Sequence, residues 1–316
     1  MATHGWSLDA PSGTYKNHKL SQKIRMAAIV DTKFMRFVKA EPGYGKKQGE
    51  TLNITRIANI SVPTDDKLVD HDLITEDRFS LSKHAITVYE RGRSVRFTSL
   101  SLDLSFFDLK NAIQSKLKEQ LSISMDNVAA TAFKAGQVKA IPAAAATTTF
   151  DTDGTASTDA LSNFNMYHLE QIRDYMYGTL QIKPFMGDDY VCVFSYKAKR
   201  GIFNDPNWRD WQKYTDPSKK FNGEVGRVEN IRFVETNNTT AMSATKGSTS
   251  SLGEGVFFGH DPVVMAFAED PHLRSKPPED YGRSQGVAWY GIYAFGQVWS
   301  DSSSAGQARV VHMTSS

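Results

Sequence analysis

The clearest pattern in the chain is a run of apolar residues at intervals of three and four. Phe106, Leu109, Ile113, Leu117, Leu121, Met125, Val128 and Ala132 recur at that spacing, which puts them on one face of a helix. Ser105 with Asp108 three residues later fits a capping box, and Gly136 fits a carboxy-terminal stop. The pattern predicts a helix over 106–135; about thirty residues at ~1.5 Å each make a strut of roughly 45 Å. Lys110, Gln114, Lys118 and Ser122 occupy its opposite face, so the strut is half exposed.

Upstream the period changes to two. TLNITRI (51–57) alternates, and AITVYERGRSVRF (85–97) gives a second β-like run with Arg91-Gly92 as a punctuating turn. Between them lies VPTDDKLVDHDLITEDRFS (62–80), polar and strongly acidic. Two strands joined by a long charged tip predict a projecting hairpin. Such a hairpin buries little by itself and needs a neighbouring chain to hold it.

Downstream, IPAAAATTTFDTDGTASTDALS reads as a loop or loose hairpin. Met166, Leu169, Ile172 and Met176 predict a second helix, and DDYVCVFSY (188–196) a dense buried strand. In DPNWRDWQKY, Asp205 can cap and Pro206 can open a short helix carrying Trp208 and Trp211. Asn222-Gly223 signals a tight turn into GEVGRVENIRFVET (223–236), whose alternation breaks between Val228 and Ile231 and suggests a kink or bulge before IRFVE. TNNTTAMSATKGSTSSLGEG reads as a surface loop, GVFFG and VVMAFAE as strands, and HLRSKPPEDYGR as an exposed link. GVAWYGIYAFGQVW and ARVVHMTS read as a final hairpin pair. The fold class is α+β, with one long helix and strands on both sides of it.

Composition narrows the function classes. The 316 residues are 40% hydrophobic and 23% charged, ordinary for a globular protein, and a net charge of +2 makes no global case for nucleic-acid binding. The first fifty residues are locally basic, and Lys16, Lys19, Lys23 and Arg25 are candidates for contacting phosphates. Cys192, the only cysteine, lies in VCVF and reads as a small buried thiol. With no intrachain disulfide possible, the sequence suggests synthesis in a reducing compartment. No signal peptide and no membrane span is read from the sequence.

Catalytic and ligand motifs are weak throughout. GEGVFFG and GYGKKQG match neither dinucleotide nor phosphate-loop spacing, and Gly223 with Gly226 lacks the following Lys-Ser/Thr. None of the eight histidines stands in a zinc motif. Asp151, Asp153 and Gly154 begin like a calcium loop, but no glutamate closes the series. The chain therefore reads as non-catalytic, without cofactor or metal.

The order of elements is more informative. GETLNITR and ITVYERGRSVRFT look like the two strands of the extended loop in tailed-bacteriophage major capsid proteins, whose fold is the Hong Kong 97 type. LKNAIQSKLKEQLSISMDNVAATAF resembles that family's spine helix, and DDYVCVFSYKAKRGIFNDPNWRDW the opening of its axial domain. GEVGRVENIRFVET resembles a glycine-spaced turn and strand of one branch, and GVAWYGIYAFG the strand returning to the peripheral domain. One departure is SYKAKRGIF, which lacks the proline and acidic residue expected where that helix starts.

The resemblance implies an amino-terminal arm (1–48), an extended loop (49–100), a peripheral domain (101–185), an axial domain (186–285) and carboxy-terminal strands returning to the peripheral domain (286–316). It implies a homo-oligomer of hexamers and pentamers in a shell around packaged DNA. Scaffolding, portal and decoration proteins are the further partners, with no membrane. Assembly in the host bacterial cytoplasm follows. Expected intersubunit contacts are Asp65, Asp66, Lys67, Asp70, Asp72 and Arg78 on the hairpin tip, with Arg227, Glu229, Arg232 and Glu235 on the axial edge. Alternatives are an encapsulin-type nanocompartment shell with the same fold, or an enzyme with a β-rich substrate domain.

Overall fold

A computed structural model describes residues 30–41, 44–45, 47–60, 62–65, 67–68, 70–71, 73–74, 76–105, 107–206, 208 and 224–316. After a 3-10 turn at Phe34–Phe37 come β1 (Val38–Ala40), β2 (Thr51–Ile57), β3 (Leu81–Thr87) and β4 (Tyr89–Thr98). Helices α1 (Ser99–Leu104) and α2 (Leu109–Lys134) follow, then β5 (Lys139–Ala144) and β6 (Thr147–Asp151). Next are α3 (Met166–Asp174), β7 (Tyr190–Ser195), α4 (Ala198–Phe203), β8 (Glu224–Val228) and β9 (Ile231–Thr236). The chain closes with β10 (Gly255–Phe258), β11 (Val263–Ser275), β12 (Ser284–Gly296) and β13 (Val310–Met313).

The strands form three sheets. One has the order β6-β5-β13-β10-β7-β9-β8, one has β1-β11-β12-β4, and β2 with β3 makes an isolated hairpin. Strand β7 lies inside the seven-stranded sheet, parallel to β9 and antiparallel to β10. Tyr190, Cys192 and Phe194 face a core built with Leu169, Ile172 and Met176 of α3 and its π-helical extension at Tyr175–Thr179. Val191 and Val193 face the opposite core, with Ala129, Ala130 and Phe133 of α2. Burial on both faces explains why DDYVCVFSY reads as a continuous apolar run and not an alternation.

Helix α2 serves both large sheets. Its first half, with Leu109, Ile113, Leu117 and Leu121, packs on Phe97, Val287 and Trp289 of the four-stranded sheet. Its second half packs on the seven-stranded sheet, where Phe133 sits 5.3 Å from the Phe34 ring and 5.0 Å from Phe258. Small residues at 129, 130 and 132 let the helix approach closely there.

Several expectations are corrected. Helix α2 starts at Leu109 with Asp108 as its N-cap, whose Oδ1 accepts from the Asn111 N–H (3.0 Å). Ser105 instead closes α1, a helix that Thr98 and Ser101 start with the capping box placed further on by the sequence pattern. The run 85–97 is two strands split at Val88, because β3 pairs with β2 while β4 pairs with β12. Gly92 is therefore no turn; it sits inside β4, where a Cβ would lie 2.9 Å from the Trp289 carbonyl oxygen.

The break before IRFVE is a two-residue hairpin turn, with Glu229 (φ 51°) and Asn230 (φ 58°) in the left-handed region. The register shift of this pair falls earlier, between Glu224 and Gly226. Residues 272–275 continue β11 instead of forming a link. The loop before β10 buries Asn238, Ala241, Met242, Leu252 and Glu254, so it is a covering layer as much as a surface. The final two strands do not pair: β12 joins β11 and β4, whereas β13 joins β10 and β5. Sheet membership thus crosses the expected boundaries at 185 and 285, with 139–151 and 310–313 in the seven-stranded sheet and 263–275 in the four-stranded one.

Candidate assembly surface and its anchors

Among the described residues, the β2–β3 hairpin and its connection are poorly covered by their own chain. Seven register pairs, from Thr51 opposite Thr87 to Ile57 opposite Leu81, hold its stem. Beyond them the connection between Ile57 and Leu81 exposes Val62 (90%), Leu68, Leu73 (95%), Ile74 and Phe79. So many large apolar side chains in water on one projection mark an interaction surface. The sequence reading concentrated on the acids of this segment and missed these residues. Their signal was present in LITEDRF, where apolar residues recur without the strict alternation of a half-buried strand.

The stem is fastened to its own subunit. Arg56 makes a two-pronged pair with Asp301, Nη2 donating to Oδ2 at 3.0 Å and Nη1 to Oδ1. Arg56 Nη1 also donates to the Val298 carbonyl (3.0 Å), and its guanidinium lies 4.8 Å from the Trp299 ring centre. The hydrogen bond with Asp301 raises the Arg56 pKa and lowers that of Asp301. Ile86 is buried beside Gly296, where a Cβ would come within 2.9 Å of the Ile86 Cδ1. A planar fork, a stacking partner and a glycine-shaped seat together fix the direction of the hairpin.

A second set of charges is held inside the body. Asp189, at the head of β7, accepts from Arg227 Nε (2.9 Å) and from Arg232 Nε (2.7 Å). Glu235 pairs with Lys199 at 2.7 Å, and Glu229 shapes the β8–β9 turn. Arg227, Arg232 and Glu235 thus all have ionic partners within the chain. On the hairpin, Asp65 accepts from the Lys67 N–H (3.1 Å), Asp70 lies 3.5 Å from His71, and Arg78 is exposed. Asp66, Asp72, Lys16, Lys19, Lys23 and Arg25 fall outside the described residues.

Two buried polar centres tie the elements together. Asp126 of α2 accepts from the Phe34 N–H (2.8 Å), anchoring the chain where it enters the fold. Burial raises its pKa, while the surrounding N–H groups and Asn238 pull the other way. The other centre lies between α2, β5, β10 and β13. Glu254 accepts from the Ser243 N–H (2.8 Å), with Lys134 Nζ at 3.5 Å and His312 Nε2 at 3.7 Å. Lys139 Nζ lies 3.3 Å from His312 Nδ1 and donates to the Lys134 carbonyl (2.7 Å). Burial lowers the His312 pKa to about 4 and that of Lys139 to about 8. For Glu254, burial acts to raise the pKa, but His312, Lys134 and the Ser243 N–H together bring it down to about 2.

Neither the calcium-like segment nor the cysteine is arranged for chemistry. Asp151 accepts from the Ser157 N–H (2.7 Å), and Asp153 from the Thr155 N–H (2.9 Å), so both carboxylates stabilise their own turn. Among the described residues no group of three or more His, Cys, Asp or Glu could hold a metal ion, and no helix is long and apolar enough to cross a membrane. Cys192 is wholly buried, and burial raises its pKa well above the ordinary thiol value. Asp205 accepts from the Met166 N–H (3.2 Å).

This architecture has counterparts. A phage capsid protein family model matches residues 83–305, and the chain belongs to that family. The capsid of cyanophage Pam1 is similar over 99% of both chains (TM-score 0.71, 14% identity). The capsid of Helicobacter pylori bacteriophage KHP30 is similar over 99% of this chain and 100% of its own (TM-score 0.71, 10% identity). That of Ralstonia phage GP4 is similar over 99% of both (TM-score 0.67, 14% identity). No curated protein matches the sequence significantly. The fold is the Hong Kong 97 type, and the protein is a major capsid protein, a structural component of an oligomeric virion shell.

Two predictions follow from the anchors. Arg56→Lys keeps the charge but loses the fork and the stacking surface, so amide exchange should accelerate about tenfold in 51–57 and 81–87. Exchange in β7 should stay unchanged, and mass spectrometry resolves the two. The second concerns acid. His312 and His168, both lowered to about 4 by burial, take up protons later in the folded chain than in the unfolded one. Their contribution is therefore full above pH ~6.5 and is lost as pH falls towards 4, and that of Glu254 declines from pH ~4.5 towards 2. Thermal midpoints of unassembled subunits should fall steadily from pH 7 to 4. His168→Gln, which can keep the bond to Thr148 Oγ1, should flatten part of that slope.

Proposed function

We propose that copies of this chain assemble, as hexamers and pentamers, into the icosahedral shell that encloses the double-stranded DNA genome of a tailed phage. The observation that carries this reading is the projecting hairpin. Its base is fixed to its own subunit, yet the apolar side chains of its tip stand exposed. A closed shell of repeated heterologous contacts supplies such partners all round. Helix α2 provides the rigid edge against which arm and hairpin flex as curvature changes. The matched family and structures are those of phages, so an encapsulin-type shell is not favoured. The role is structural, and assembly in the host cytoplasm with scaffolding, portal and decoration proteins belongs to the same reading. By their place in the resemblance, residues 1–48 act as the amino-terminal arm, 49–100 as the extended loop, 101–185 as the peripheral domain and 186–285 as the axial domain, with 286–316 returning to the peripheral domain.

Negative-stain microscopy of the chain, expressed alone and with its companion phage proteins, tests this. Closed shells or hexameric and pentameric plates are expected; a chain that stays monomeric at every concentration in both settings overturns it. The basic segment with Lys16, Lys19, Lys23 and Arg25 is assigned to the inner surface, against packaged phosphate. Replacing Lys16, Lys19 and Lys23 by alanine should lower the genome content per particle. Unchanged packaging at unchanged particle yield would exclude that role.

A further inference from the structure

A small apolar groove opens beside the point where the chain enters the fold. It measures about 260 Å³ and lies between Phe37, Phe185, Met186 and Val234, with Arg36 and Arg232 in its lining. The wall is rigid, since the Phe37 ring packs edge-on against Phe185 (5.6 Å) and Phe258 (5.1 Å). Met186 is largely exposed, so the apolar floor faces water. Arg232 is held by Asp189, whereas Arg36 is exposed and has no ionic partner among the described residues. The volume lies below the roughly 300–1,000 Å³ of small-molecule sites. It suits one or two aliphatic side chains followed by an acid.

The chain itself carries such a ligand. Leu73 and Ile74 are among the most exposed apolar side chains of the described residues, and Glu76 and Asp77 follow them after Thr75. Between Val62 and Ser80 there are six acids against Lys67 and Arg78. We propose that the groove receives the hairpin tip of a second copy, Leu73 and Ile74 entering the apolar floor while Glu76 or Asp77 meets Arg36. This rests on the shell reading above and names a contact within it.

Charge decides against the other occupants that the chain offers. Residues 1–29 carry Lys16, Lys19, Lys23 and Arg25 against Asp9, and 209–223 carry Arg209, Lys213, Lys219 and Lys220 against Asp210 and Asp216. Both are net positive and would be repelled by Arg36. The tip of the same copy is disfavoured by its own anchoring. The Arg56–Asp301 fork and the Ile86 seat fix the stem, and the tip residues stay exposed within their own chain.

The test is a charge cycle in the full chain. Arg36→Glu and Glu76→Arg with Asp77→Arg should each lower the yield of closed shells at least tenfold at fixed subunit concentration. Combining them should restore most of the yield. All these positions are exposed, so unchanged melting of the unassembled subunits shows that the fold is intact. A second measurement replaces Leu73 and Met186 by cysteine and oxidises the assembling chain mildly. Dimers and higher multimers on a denaturing gel support docking between copies. A link confined to single chains assigns the groove to its own hairpin and overturns the proposal. So does the absence of any link together with charge variants that assemble like the parent. A parent chain that forms no shells defeats the underlying reading instead, whereas intact shells indifferent to both changes defeat only this contact.

Discussion

The structure depends on one helix having to satisfy two sheets at once. At 26 residues, α2 is about 39 Å long, further than either sheet alone covers. Its first half is buried by the four-stranded sheet and its second by the seven-stranded one. The relative placement of the sheets is therefore set by a rod that resists bending, not by a flexible linker. Polar bonds fix the rod lengthwise. Trp289 Nε1 donates to Gln120 (3.1 Å), and Gln297 Nε2 donates to the carbonyls of Ala132 (2.8 Å) and Phe133 (2.9 Å) at the helix end. Gln297 directly follows β12, so the four-stranded sheet caps the same helix turn that the other sheet buries.

A rigid body of this kind leaves adaptability to whatever hangs from its rim. The hairpin has only two strands and pairs with no other strand among the described residues, so its stability leans on its seat and, in the proposed shell, on neighbours. Strand β4 continues the chain directly from β3 into the four-stranded sheet. Any tilt of the hairpin is thus felt at Val88 and at the Arg56 fork first. The seat is mixed by design of its chemistry: Ile86 against Gly296 resists withdrawal, and the Arg56 fork resists rotation.

What the sequence made legible followed from local physics. The period of α2, the buried run of β7 and the exposure of a long acidic connection all depend on neighbours within a few residues. What it hid depended on distant partners. The break at Val88 is invisible in AITVYERGRSVRF because both halves are equally β-like; only pairing with β2 on one side and β12 on the other divides them. The helix start at Asp108 was misplaced because apolar spacing locates a face and not a cap. Asp189 collects two arginines because β7 and β9 run parallel with Tyr190 opposite Ile231, a register without local signature. The groove at Phe37 is likewise made by segments some 150 to 200 residues apart. The hairpin's apolar tip was legible in principle, but its acids drew the eye to charge.

The distribution of polarity completes the argument. Charges that a monomer would ordinarily leave in water, such as Glu254, Lys139 and Asp126, are buried and bonded, while Leu73, Val62 and Ile74 stand in water. Buried polar centres fix one arrangement of the core, since any other leaves them unpaired at a cost of several kcal/mol. The body is therefore specified before partners meet. Exposed apolar residues then contribute association strength in proportion to the area they lose to water. Surrounding them with acids weakens tip-to-tip encounters, because two such tips repel each other, and leaves surfaces of opposite sign as the productive partners. In the proposed shell, then, the charge pattern of the hairpin would select the partner surface while its apolar side chains supply the adhesion.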